Sequence, residues 1–391
     1  MRLWPKGRGA RWGLASVLSV GGVALAALAT LCVTSGCSSI DYLSQSASGH
    51  LRLLAAARPV KDAIADPATP EALRKRLELT QRMREFAVTE LHEPDNDSYR
   101  SYADLKRPAA VWNVVAAPEL SLQLTTWCFP VVGCVGYRGY YDLASANAAA
   151  APLKAGGLEV DVYEVPAYST LGWMNWIGGD PLLSTFVQWP EGELSRLIFH
   201  ELAHQVAYAP GDTTFNESFA TAVEHIGSQR WLERNATPEV RAKQALTEAR
   251  RDDFHVLVRA WRAKLDAMYR SDLPDAEKRV RKAELYAGMR ADYEALKRDK
   301  WSGYNGYDHW FAKANNAAMG TQGAYDDEVG AFERLFAAQG GDFDRFYAEV
   351  RRMAALPRPE REAAMAPYRA TPQAAPVVAP ATPASGGVVS G

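Results

Sequence analysis

Two imidazoles four positions apart, with a carboxylate between them, are the residues of this 391-residue chain best suited to chemistry: the run is His200-Glu201-Leu202-Ala203-His204. Four residues of α-helix turn through about 400°, so His200 and His204 project from one face and can grip a single metal ion. Glu201 then lies beside them as a general base for water polarised by that ion. Leu194, Leu197, Ile198 and Phe199 precede the run, and Leu202, Ala203, Val206 and Ala207 continue it. A helix apolar around that much of its circumference is predicted to be buried. Burying two histidines and a glutamate without partners costs several kcal/mol, and a shared cation removes most of that cost. A solvated surface helix would have no need of these flanks.

A hydrolytic zinc site takes three protein ligands and keeps a fourth position open. Glu217, within Asn216-Glu217-Ser218-Phe219-Ala220, stands thirteen positions after His204, beyond a Pro210-Gly211-Asp212 turn that can fold a second helix back along the first. Glu224 lies two helical turns farther on and shares its face. One of these carboxylates can ligate while the other hydrogen-bonds a ligating histidine.

With these residues in view, HELAHQ at His200 to Gln205 and NESFATAVEHIG at Asn216 to Gly227 resemble the paired signature of aminopeptidase N-type gluzincins. The resemblance implies one Zn2+ held by His200, His204 and Glu217, with Glu201 as base and Glu224 behind a ligand, in a gluzincin or thermolysin-like catalytic core. The interval between the two segments is shorter than is usual in that family, and the spacing of Glu224 from His204 resembles that of the thermolysin ligand, so Glu224 stands as the alternative third ligand. The stretch from Tyr325 to Phe336, leading into Gly340-Gly341-Asp342-Phe343, is similar to the helix of the same aminopeptidases that opens with an intermediate-stabilising tyrosine. This implies Tyr325 as the oxyanion donor, with Tyr304 and Tyr307 of a Gly-rich segment competing for the role. Arg107-Pro108, Trp127-Cys128-Phe129-Pro130, Gly133-Cys134 and Asn315-Asn316-Ala317 are among the marks that resemble a bacterial family of predicted zinc aminopeptidase lipoproteins, from about Ser39 to Phe346. Asp180 to Val187 occupies the place of the substrate-amine loop of aminopeptidase N-type enzymes but lacks its glutamate motif. Removal of N-terminal residues and internal cleavage therefore both stay open.

Location is read from the other end of the chain. Arg2, Lys6, Arg8 and Arg11 precede an uncharged run from Gly13 to Val33, closed by Thr34-Ser35-Gly36-Cys37. This pattern predicts a lipoprotein signal peptide over 1–36 and lipidation of Cys37, with an uncleaved membrane anchor as the rival. Ser38 resembles the residue that permits sorting to the outer membrane, so the expected place is the cell envelope, lipid-anchored and facing the periplasm. In that oxidising compartment Cys128 and Cys134 are expected to form a disulfide rather than remain free thiols. With 44 basic against 46 acidic side chains, no field exists that would recruit nucleic acid.

These residues need elements to hold them. Ala65 to Glu90 has helical spacing, Ala109 to Ala116 and Leu158 to Val165 read as strands, and Asp180 to Val187 reads as a sheet edge where a peptide could add as a strand. Charged residues interleaved with Ala, Leu and Tyr over 238–300 predict a long helical hairpin, broken near Ser271 to Pro274. The Ala/Pro-rich 366–391 is expected to be a disordered tail. The expected whole is an α+β, predominantly helical metallopeptidase domain over 37–365, with a small N-terminal β-sheet and the inserted hairpin. It would act on peptides, most simply as an aminopeptidase. The alternative is a zinc-binding lipoprotein that serves as a scaffold without activity; Glu201 argues against it, since a structural site gains nothing from that carboxylate.

Overall fold

The computed structural model describes residues 37–129, 133–167, 178–322 and 328–369. The expected signal peptide, Tyr325 and residues 370–391 lie outside the described residues. The chain opens with α1 (Cys37–Ala55), β1 (Ala57–Pro59) and α2 (Val60–Ala65). Pro67 and Pro70 then interrupt the helical spacing expected over Ala65 to Glu90, and α3 (Glu71–Thr89) starts only after Pro70, its N-cap. Proline offers no N–H and disfavours helix in the residue before it, so a helix begins after such a pair rather than running through it. β2 (Ser101–Ala103), β3 (Val111–Pro118), β4 (Trp127–Phe129), β5 (Gly133–Val135), β6 (Arg138–Tyr140), α4 (Leu143–Ala155), β7 (Leu158–Val165) and β8 (Leu182–Leu183) follow. The remainder is helical: α5 (Glu191–Ala203), α6 (Thr213–Asn235), α7 (Pro238–Tyr269), α8 (Asp275–Asp299), α9 (Asp308–Lys313), α10 (Asn316–Thr321), α11 (Val329–Ala338), α12 (Phe343–Ala354) and α13 (Arg358–Met365). The protein is thus α+β and predominantly helical.

Among the described residues three small sheets stand in place of one. β3 lies between β6 and β7, antiparallel to both. Trp112, Val114 and Ala116 pack with Ala146 and Ala150 of α4, while Val115 and Ala117 pack with Ala317 of α10. A strand covered on both faces needs apolar residues at successive positions, and β3 is apolar throughout except for Asn113, whose Nδ2 donates to Tyr163 Oη. β4 and β5 form a hairpin closed by the expected Cys128–Cys134 disulfide. In the third sheet β2 pairs antiparallel with β1 and parallel with β8. The strand expected over Asp180 to Val187 is reduced to Leu182 and Leu183, both buried in the main core. Ser184 to Val187 turns back on itself instead, with Val187 N–H bonded to Leu183 O. The expected tail is also shorter at its start, because Ala366–Tyr368 forms a 3-10 turn whose Tyr368 carbonyl accepts from Arg334 Nε. Among the described residues no helix is long and apolar enough to cross a membrane.

α7 and α8 pair across a break at 270–274 and enclose their own aromatic core, in which Tyr307 stacks on Phe254 and Tyr293 on Phe311. This hairpin must be fastened to the sheet, and Asn316 fastens it. Its buried amide oxygen accepts from the hydroxyls of Tyr269 and Tyr286, and its Nδ2 donates to the carbonyls of Pro118 and Glu119. The preceding Asn315 caps α10 by accepting from Ala318 N–H. Replacing Asn316 with leucine keeps the branched four-atom side chain but orphans the two phenols and removes one donor from each carbonyl, which retain Ser121 N–H and Lys282 Nζ. The Asn316→Leu protein should lose about 2–4 kcal/mol of stability in urea unfolding; a loss under about 0.5 kcal/mol would show that these groups find other partners.

Candidate active site

Helix α5 is held on both sides before it reaches the histidines. Glu191 and Glu193 occupy its first turn, where acidic groups suit the helix dipole. Glu191 accepts from Trp231 Nε1 of α6 at 2.9 Å, and Glu193 accepts from Gln244 Nε2 of α7 at 2.8 Å. Leu194, Ile198, Phe199, Leu202 and Ala203 are buried in the main core. The helix ends at Ala203, short of the Val206 and Ala207 included in the sequence reading. His204 serves as its C-cap, and its N–H bonds to His200 O, so the two imidazoles still share a face.

The chain then reverses. Gly211 at φ 76° makes the turn, and Asp212 caps α6 by accepting from Phe215 N–H. Arg361 of α13 fixes that cap through a buried ion pair with Asp212 at 2.9 Å. Asn216 pairs both ends of its amide with the backbone N–H and carbonyl of Ala209, closing the loop onto α6. One helical turn from Glu224, Gly227 lets α6 come close to its neighbours: a Cβ there would stand 2.7 Å from Leu91 Cδ1 and 3.0 Å from Phe199 Cδ2.

The two helices place four side chains in one cluster. His200 Nε2 lies 3.2 Å from His204 Nε2 and 3.4 Å from Glu217 Oε2, and the third edge, His204 Nε2 to Glu217 Oε2, is 3.8 Å. Ligand atoms about 2.0–2.1 Å from a tetrahedral zinc ion lie about 3.3–3.4 Å from one another, so this triangle fits the ion. Glu224 occupies a different position: its Oε2 is 2.9 Å from His200 Nδ1, and its Oε1 pairs with Arg196 Nη2. A carboxylate on Nδ1 fixes the proton there and turns the Nε2 lone pair toward the other ligands. Glu217 is therefore the carboxylate that faces both Nε2 atoms, and Glu224 the one behind. Arg196 could have been found in the sequence, since 196, 200 and 204 recur at four-residue steps on one helix face.

The charges are tightly matched. Burial works to lower the pKa of His200, but hydrogen bonds to Glu217 and Glu224 outweigh it and hold the imidazole well above its ordinary range. Burial and the charge of His200 push His204 down to about 4. Burial opposes ionisation of Glu224, yet His200 and Arg196 keep its carboxyl at about 2, and His200 and His204 likewise hold Glu217 below its usual value. His204 Nδ1 is buried and has no hydrogen-bond partner among the described residues.

Of the other expected residues, Glu201 adjoins the cluster, its charge reaching His200, whereas Tyr304 and Tyr307 lie elsewhere. Glu201 is half-buried, and its charge reaches the phenol of the buried Tyr99. Tyr99 sits at φ 63°, a rare conformation for a non-glycine residue, fixed by its N–H to Asp180 O at 2.7 Å. Tyr304 and Tyr307 belong to the hairpin, where Arg250 covers the ring of Tyr304 at 4.1 Å and Phe254 stacks on Tyr307. Neither joins the histidine cluster. Cys37 starts α1, and its side chain lies outside the description.

Glu93, which the sequence reading passed over, is 3% exposed, and neither carboxyl oxygen has a hydrogen-bond partner among the described residues. Burial raises its pKa well above the carboxylate range despite the charges of Arg84 and His200. A proton held more tightly in the folded than in the unfolded chain supports stability below the unfolded pKa and withdraws that support as pH rises through the folded value. Glu93→Gln should therefore raise the unfolding midpoint at pH 8 and leave it nearly unchanged at pH 4. Thermal unfolding at both values checks this, and equal shifts would rule out the charge as the cause.

In comparison with known proteins, residues 41–365 match the family described as "Putative aminopeptidase". No curated protein and no solved structure matches the chain.

Proposed function

The chain belongs to the "Putative aminopeptidase" family, and on that premise we propose that it is a zinc metallopeptidase of the gluzincin type, an aminopeptidase acting on peptides in the periplasm. The observation that carries this reading is the triangle of His200 Nε2, His204 Nε2 and Glu217 Oε2, with Glu201 next to its first corner. Zn2+ at these three residues would supply Lewis-acid polarisation of the scissile carbonyl and acidify water. Glu201 takes the proton from the attacking water and delivers it to the departing amine nitrogen. Glu224 orients His200 and keeps its Nδ1 proton in place, and Arg196 keeps Glu224 ionised. The basic, uncharged and small-residue pattern before Cys37 supports a lipid tether to the outer membrane.

Metal content and hydrolysis, measured together, test this reading. The wild type should bind one zinc and cleave free-amine peptides; Glu201→Gln should retain the zinc and lose about 10²–10⁴-fold in kcat. Retained zinc with no hydrolysis by either protein would favour the scaffold reading, and cleavage of blocked peptides alone would replace the aminopeptidase with an endopeptidase.

The two carboxylates can be separated by zinc titration. Glu217→Ala should lose the ion, whereas Glu224→Gln should weaken its affinity about 10–100-fold. The reverse ranking would make Glu224 the ligand.

A further inference from the structure

The two imidazoles of the cluster are not held alike. His200 stands inside α5 with Glu224 on its Nδ1 at 2.9 Å. His204 caps the end of the helix, and its Nδ1 is buried without a hydrogen-bond partner among the described residues. The helical ladder loosens at the same point. His204 N–H reaches His200 O at 3.3 Å, and the next two N–H groups bond only three residues back, Gln205 to Leu202 O and Val206 to Ala203 O. A histidine ligand whose second ring nitrogen has no orienting partner takes its direction from its backbone, and helix ends are where backbone is held least. The residue that follows His204 supplies the missing constraint. Gln205 directs both ends of its amide at one distant loop: its Oε1 accepts from Asn96 Nδ2 at 2.7 Å, and its Nε2 donates to Ser98 Oγ at 3.2 Å.

That loop is fixed independently of Gln205. Asn96 Oδ1 accepts from Ser98 N–H, closing the loop on itself. Arg84 of α3, fully buried, donates from Nε to Ser98 O at 3.0 Å and from Nη2 to the carbonyls of Pro94 and Asn96. On the far side Tyr99 N–H bonds to Asp180 O, and Ser98 Oγ also accepts from Asp180 N–H. Gly179, at φ 65°, packs so closely that a Cβ there would stand 2.5 Å from Ser98 N. A loop gripped by a buried guanidinium and by a second segment does not follow Gln205; Gln205 follows the loop.

We propose that Gln205 is a positioning residue for the metal ligand His204, with Asn96 and Ser98, held by Arg84, as its anchor. The loop does for His204 through the backbone what Glu224 does for His200 through the ring. Gln205 acts by limiting the orientations open to His204 before an ion arrives, so that less freedom is lost on binding. Loss of this brace weakens the hold on the ion while leaving the ligand set intact.

The positioning role rests on the metal-site reading, and zinc affinity of the full chain, measured by chelator competition, separates the two. Gln205→Met keeps the length of the side chain and breaks both bonds; it should weaken zinc about tenfold and leave the stoichiometry unchanged. Asn96→Ala cuts the link from the loop side, so the outcome does not depend on one variant folding, and it should weaken zinc comparably. The double variant should lose less than the product of the two single losses, because both remove one linkage. Asn316→Leu unfastens the hairpin without touching the brace and should lower stability at unchanged zinc affinity. With zinc bound by the wild type, unchanged affinity in Gln205→Met, single losses that simply multiply, or an equal loss in Asn316→Leu overturns the positioning role alone. A wild type that binds no zinc overturns the positioning role and the metal site together.

Discussion

Four ionisable side chains packed between two helices must cancel one another's charge, and the contact between α5 and α6 is arranged around that requirement. His200 lies at the centre, with Glu217 on one ring nitrogen and Glu224 on the other. Such a cluster is costly when incomplete, because an unpaired charge in a desolvated site cannot be compensated by water. The surrounding structure accordingly fixes positions more than it adds contacts. Arg361 holds the cap of α6, Asn216 holds the loop, and Gly227 sets how closely α6 approaches Phe199. The polar groups on the first turn of α5 do the same from the opposite end, bonding it to α6 and α7.

The small sheets and the helical hairpin form the second level of this arrangement. β3 is sandwiched between α4 and α10, and Asn316 at the start of α10 joins the sheet edge to the aromatic core of the hairpin. A single amide that satisfies four partners gives direction as well as stability, since apolar packing alone would allow the hairpin to slide. The β4–β5 hairpin forms a sheet of its own, and Tyr137, which follows it, feels the charge of Glu217. The family match spans both levels, from residue 41 to residue 365, so peptidase function belongs to a chain in which hairpin and sheet are part of one family unit.

Periodicity and punctuation made several elements legible in advance. β7 runs from Leu158 to Val165, as its alternating residues predict, and the long charged stretch folds as α7 and α8 with the break near Ser271 to Pro274. The departures have local physical causes. Pro67 and Pro70 delayed α3, and the stretch after Leu183 turned back by its own hydrogen bonds rather than continuing as a strand. Tyr304 and Tyr307 looked like site residues because they lie in a glycine-rich segment; Phe254 and Arg250, some fifty positions earlier, claim their rings for the hairpin core.

The sequence by itself determined which residues could share a metal, because helical geometry links 200 to 204 and 217 to 224 without any knowledge of the fold. Only the tertiary structure decided which carboxylate faces which nitrogen, since that depends on the rotation and approach of α6 against α5, fixed by Gly227, Asn216 and the Asp212–Arg361 pair. It also brought Tyr137 and Glu93 near the cluster from segments with no periodic relation to it. A local pattern repeats at the pitch of its own helix and can be read along the chain. Neighbours across a packed interface are set by burial, shape and charge between distant segments, and no spacing in the sequence records them.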